Sequence, residues 1–105
     1  MTLEEFQKAA GPSPQWAPPL RALWLDAAGK WEAAHQAIQD DEGLEAAWVH
    51  AYLHRKEGDD SNAQYWYARA SRDFFEGPLE EEWKVITMEL LNFSSGASLI
   101  SAKAD

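Results

Sequence analysis

Apolar residues recur along this chain at the helical spacing i, i+3, i+4 and i+7, and no stretch alternates as a half-buried strand would. Leu20, Leu23, Trp24 and Ala27 form one stripe, and Trp31, Ala34, His35 and Ile38 a second. Leu44, Ala47, Trp48, Ala51 and His54 form a third, in a helix from about Leu44 to Glu57. Ala63, Trp66, Tyr67, Ala70 and Phe74 make a fourth, and Leu79, Trp83, Ile86 and Leu90 a fifth, in a helix over 79–91. A short helix over residues 3–10, with Leu3, Phe6 and Ala10 on one side, precedes these five. The pattern predicts an all-α fold.

The breaks between stripes carry helix start and stop chemistry. Thr2 followed by Glu5 matches a capping box. Gly11-Pro12 stops the first helix, and GPSPQWAPP is a stiff, extended connector whose Trp16 is expected to plug a hydrophobic edge. Pro18-Pro19 suit a first helical turn. Gly29, Gly43 and Gly58 mark helix boundaries, Asp60 or Ser61 is expected to cap the next helix, and Gly77-Pro78 breaks the chain again. The run Glu80-Glu81-Glu82 falls in a first turn, where it complements the macrodipole and is expected to be solvated. The organisation predicted is an N-terminal helix and Pro-rich connector over 1–17, one helical domain over 18–91, and a flexible tail over 92–105. Phe93, Leu99 and Ile100 of that tail are expected to dock on the body.

Composition narrows the function classes. At 105 residues the chain is one domain by length. Its net charge of −9 repels a phosphate backbone, so nucleic acid is not an expected partner. Cysteine is absent, which removes disulfides, thiolate catalysis and Cys-based metal sites and fits a reducing cytoplasm. Glu4 and Glu5 near the N-terminus argue against a secretory signal, and no apolar stretch is long enough for a membrane span. Six tryptophans supply large apolar surfaces to a small core.

Two segments align on their glycines, LRALWLDAAGKWEAAHQAI and VHAYLHRKEGDDSNAQYWYARA. Ala22 and Ala51 lie seven places before Gly29 and Gly58; Ala34 and Ala63 lie five places after; Ile38 and Tyr67 lie nine after. Small residues allow two helices to cross closely, so each segment reads as a helical hairpin. The pattern resembles the tetratricopeptide repeat (TPR), best over Ala51, Gly58-Asp59, Ala63, Tyr67 and Ala70, and less well over Ala22, Gly29, Ala34 and Ile38. The glycines here are 29 residues apart, against a family repeat of about 34. The closing proline is missing, and Asp41 stands where the first unit's last Ala belongs. The resemblance implies two degenerate, antiparallel TPR-like hairpins capped by a further helix, about five helices in all. The string WVHAYLHRKEGD…NAQYWYARA is also similar to a group of small uncharacterised bacterial proteins, a likeness that implies no activity.

Two groups of residues could carry function. His50 and His54, four apart on one helix, point the same way, and His35 lies on the stripe of the preceding helix. If those helices pack together, three imidazoles converge in a set able to hold a divalent metal, with hydrolysis as one use for it. The competing reading places the histidines in the core as hydrogen-bonded packing groups; a pH-sensing or acid–base role is a third. The second group follows from the TPR resemblance, whose inner groove would be lined by Trp48, Tyr52, Arg55 and Lys56, with Leu23 and Asp26. An aromatic pair followed by two cations would grip an extended peptide or an acidic terminus. The functional expectation is thus a non-enzymatic module that binds a protein or peptide, or pairs with itself as a homodimer, without a cofactor. Metal binding through His35, His50 and His54 is the other reading. The tail serines lie far from any histidine, and no phosphate loop or dinucleotide fingerprint is present.

Overall fold

The computed structural model describes the backbone of residues 1–96 and the side chains of residues 1–92. The described residues form helices α1 (Leu3–Lys8), α2 (Pro18–Ala27), α3 (Trp31–Ile38), α4 (Leu44–Lys56), α5 (Asp60–Arg69) and α6 (Leu79–Gly96). The fold is all-α, as the periodicity requires. The expected docking of Phe93, Leu99 and Ile100 lies outside the described side chains.

Local chemistry sets the boundaries. The Thr2 side chain accepts from the Glu5 N–H while the Glu5 carboxylate accepts from the Thr2 N–H, so the capping box forms. Pro18 and Pro19 occupy the first turn of α2, where no N–H is missed. Asp59, rather than Asp60 or Ser61, caps α5 by accepting from the Asn62 N–H. Helix α6 continues to Gly96, past the expected end at residue 91.

Helices α2, α4 and α5 close with the same geometry. Residues Gly29, Gly58 and Ser71 take positive φ angles of 81°, 88° and 59°. The next N–H then reaches back to the helix: Lys30 to the Leu25 carbonyl, Asp59 to His54, and Arg72 to Tyr67, each at 2.9 Å. These are Schellman closures, in which the left-handed residue lets the chain satisfy carbonyls that the helix leaves bare. Ser71 does this with a Cβ that the left-handed region disfavours. Ser71→Gly is therefore expected to stabilise the protein by about 0.5–1 kcal/mol, read as a higher urea midpoint at unchanged slope. A lower midpoint would show that Ser71 makes a compensating contact.

Helix α4 is the centre of the molecule. Every residue from Ala46 to His54 is buried, because α4 packs on α2, α3, α5 and α6 together. Its first residue Leu44, expected on the inner stripe, is exposed. Two indole N–H groups tie the helices to one another: Trp83 of α6 donates to the Leu23 carbonyl (2.9 Å) and Trp31 of α3 to the Leu53 carbonyl (2.8 Å). Trp16 does plug an edge, packing on Phe6 with ring centroids 4.8 Å apart.

A helix buried on all sides must find partners for its polar side chains. Helix α4 does so with carboxylates from its neighbours. Tyr52 donates to Asp26 Oδ2 (2.6 Å) and Lys56 pairs with Asp26 Oδ1 (2.9 Å). Arg55 pairs through Nε with Glu82 Oε1 (2.9 Å) and donates through Nη2 to the Gly77 carbonyl. The Tyr67 hydroxyl of α5 donates to Glu82 Oε2. Glu82 is fully buried, which corrects the expectation of a solvated Glu80–Glu82 run. Burial, and then the hydrogen bonds to Asp26 and Glu82, push the Tyr52 and Tyr67 hydroxyls well above the usual tyrosine range, so both remain donors.

Candidate metal site

The three histidines meet at one place. His50 and His54 are one turn apart on α4, with near-parallel rings whose centroids are 5.3 Å apart. His35 arrives from α3. Trp31, four residues earlier, fixes that approach: its N–H is anchored on α4, and its ring stacks on His35 with 6° between the planes. His35 stands edge-on to both α4 rings. One ligand atom from each of the three imidazoles lies within 4.8 Å of the other two.

Each ring is held differently. His35 Nε2 and His50 Nε2 face each other at 2.9 Å, so one donates and the other accepts. His54 Nδ1 is 2.9 Å from Glu57 Oε2. That carboxylate favours the proton on Nδ1 and leaves the lone pair on Nε2, as the outer carboxylates of metal-bound histidines do. His50 stacks on Trp66 of α5, with centroids 3.9 Å apart, and its buried Nδ1 has no hydrogen-bond partner. His50 and His54 are only 4% and 7% exposed.

The environment makes two of the imidazoles harder to protonate. Burial, and then the neighbouring His35, His54 and Arg69, push His50 down to about 4. Burial, followed by His54, lowers His35 as well. A neutral ring has the lone pair that a metal needs. The same shift makes the metal-free fold acid-sensitive. The unfolded chain takes up the His50 proton near pH 6.5, whereas the folded chain resists until about pH 4. Stability from this group is complete above pH 6.5 and is lost as pH falls toward 4. Between pH 7 and pH 5 the loss is about 2 kcal/mol, or roughly 10 °C in the melting midpoint of a domain this size. The melting curve of the metal-free protein should show this fall, and His50→Gln should reduce it. An equal fall in the variant would place the acid sensitivity elsewhere.

The spacing suits coordination. Metal–nitrogen bonds of about 2.0–2.1 Å place ligand nitrogens ~3.3–3.5 Å apart. The His35–His50 contact at 2.9 Å needs to open by only a few tenths of an ångström to reach that range. His54, Glu57 and Asp59 form a second close group. There, however, Glu57 already orients His54 and Asp59 caps α5, so they serve as outer supports.

The residues expected to line a peptide groove are placed otherwise. Trp48 and Tyr52 are 5% and 2% exposed. The Arg72 guanidinium lies 3.4 Å from the Trp48 ring centroid and pairs with Glu89 at 2.6 Å. Tyr52 and Lys56 converge on Asp26, and Arg55 is spent on Glu82. Arg55, Lys56, Arg69 and Arg72 each have a contact within the chain; Arg69 rests on Trp66 and Tyr65. From Ala46 to His54, helix α4 has no exposed residue to serve as a groove wall.

The periodicity brought the three histidines together, but not the two tryptophans that wall them. Trp31 and Trp66 read as ordinary stripe residues. Glu57 was not read as a support either, although its place three residues after His54 is a helical i, i+3 signal. No protein-family model, curated protein or solved structure matches this chain.

Proposed function

We propose that this protein binds one transition-metal ion through His35, His50 and His54, and that the ion joins α3 to α4. The observation that carries the reading is the convergence of three imidazoles from two helices, two of them buried, with one ligand atom from each within 4.8 Å of the other two. Imidazole is a ligand for zinc, copper, nickel and iron, and less so for magnesium or calcium. Glu57 orients His54 from behind, and Trp31 and Trp66 flank the site.

Equilibrium dialysis of untagged protein against Zn²⁺ or Cu²⁺ tests the reading. One ion per chain is expected, and none in the His50→Gln/His54→Gln protein. Substoichiometric binding, or binding that survives both replacements, would refute it.

The TPR-like reading of the pairs α2–α3 and α4–α5 is supported by their two glycine closures of one form and by the buried Ala51 and Ala63. A protein or peptide partner would have to use residues other than Trp48, Tyr52 and Arg55, which are committed to the interior.

A further inference from the structure

We infer that a cavity between the α3–α4 connection and the end of α5 is a binding site for a small zwitterion of the amino-acid class. Arg69 receives its carboxylate, and Asp41 and Glu42 receive its ammonium group.

The cavity has a volume of about 280 Å³. Gln39, Asp41 and Glu42 line it from the connection, Ala47 from α4, and Trp66 and Arg69 from α5. Pockets for drug-sized ligands run from about 300 to 1,000 Å³, so a smaller molecule suits this one. Trp66 is shared with the histidine cluster: its ring lines the cavity and also stacks on His50. The two sites are otherwise built from different residues.

Both signs of charge line this one cavity without meeting. The chain has 18 acidic and 9 basic residues, so its cations have carboxylates in excess to pair with. Arg55, Lys56 and Arg72 each pair with one. Arg69 makes no ion pair among the described residues, although Asp41 and Glu42 line the same cavity. Its guanidinium lies instead 5.1 Å from the Trp66 ring centroid and 6.0 Å from that of Tyr65. Nη1 donates to the Tyr65 hydroxyl at 3.4 Å. These contacts hold the guanidinium at the cavity wall and leave most of its N–H donors for a ligand. On the acidic side, Asp41 accepts from the Gly43 N–H through Oδ1 at 2.9 Å and keeps Oδ2. Glu42 has no hydrogen bond or ion pair among the described residues.

An anion alone would enter beside two carboxylates, and a cation alone beside a guanidinium. A molecule that carries both charges finds a complementary group for each. The planar guanidinium matches a carboxylate with paired N–H donors. Ala47 and the Trp66 ring offer apolar contact to a short carbon frame, and the Gln39 amide adds a neutral polar one.

The test uses untagged protein dialysed against EDTA, so that no metal ion chelates the probe, and follows binding by calorimetry and tryptophan fluorescence. L-Alanine and 4-aminobutyrate carry both charges at two separations. N-acetyl-L-alanine keeps only the carboxylate, and L-alanine amide only the ammonium. One equivalent of at least one zwitterion is expected to bind, about 10-fold or more tightly than either blocked compound. Arg69→Gln and Glu42→Gln should each weaken it by about 10-fold or more. Both side chains are exposed, so the melting midpoint should change little. Asp41→Asn, which keeps an acceptor for Gly43, should weaken binding in the same way. A blocked compound that binds as tightly as the zwitterion would overturn the zwitterion assignment. Binding that Arg69→Gln leaves unchanged would overturn the site. No saturation by either zwitterion up to about 10 mM would overturn both. None of these outcomes depends on the metal reading, which dialysis against Zn²⁺ or Cu²⁺ decides separately.

Discussion

Arg55→Ala is expected to destabilise the protein by about 3–5 kcal/mol, the range for removing one partner of a buried ion pair. Glu82 is fully buried, and Arg55 is its only charged partner in the chain's ion pairs among the described residues. Without Arg55, the carboxylate keeps only the Tyr67 hydroxyl. The Gly77 carbonyl, which turns the chain into α6, loses its donor as well. A loss of this size is a large part of the 5–15 kcal/mol that a domain typically has. Replacing both partners with apolar residues, as Arg55→Met with Glu82→Leu, should restore most of the loss, because the cost lies in stranding a charge rather than in lacking the pair. Urea denaturation of the three proteins decides the matter. An Arg55→Ala loss under about 1 kcal/mol would mean that Glu82 is solvated or protonated in the folded chain.

Saturation with metal is expected to raise the melting midpoint by roughly 10–20 °C. An ion present at 100 times its dissociation constant adds about 2.7 kcal/mol if the unfolded chain does not bind it, and each kcal/mol moves a domain of this size by about 4–8 °C. The gain arises because His35 belongs to α3 while His50 and His54 belong to α4, so unfolding must break the chelate. His35→Gln should abolish the gain while changing the metal-free midpoint little, since His35 is only half-buried. A gain that persists in His35→Gln would place the ion elsewhere, for example among the surface carboxylates.

These two predictions also show what could be read before the fold was seen. The helices were legible because each stripe has a clear 3.6 period and the breaks fall on Gly and Pro. The pairing of His35 with His50 and His54 followed from adjacent stripes. The burial of α4 from Ala46 to His54 was not legible, because its polar residues looked like the lining of an open groove. Trp48, Tyr52, Arg55 and Lys56 have the composition of a binding groove. Their partners are Arg72, Asp26 and Glu82, which lie 24 (48 to 72), 26 (26 to 52) and 27 (55 to 82) positions away in sequence. No local pattern marks such pairings. Glu82 illustrates the difficulty: Glu80, Glu81 and Glu82 are chemically alike in the sequence, yet only the position facing Arg55 and Tyr67 is buried. Ser71 hid a helix closure for a similar reason, since it takes the conformation that Gly29 and Gly58 advertise.

The most direct test of the central claim follows the ring nitrogens themselves. In ¹⁵N-detected spectra of the imidazoles during metal titration at pH 7, the signals of His35, His50 and His54 should shift together and saturate at one equivalent. His54 should bind through Nε2 while its Nδ1–H continues to donate to Glu57. If the three rings respond independently, or continue to shift beyond one equivalent, then they do not form a single metal site.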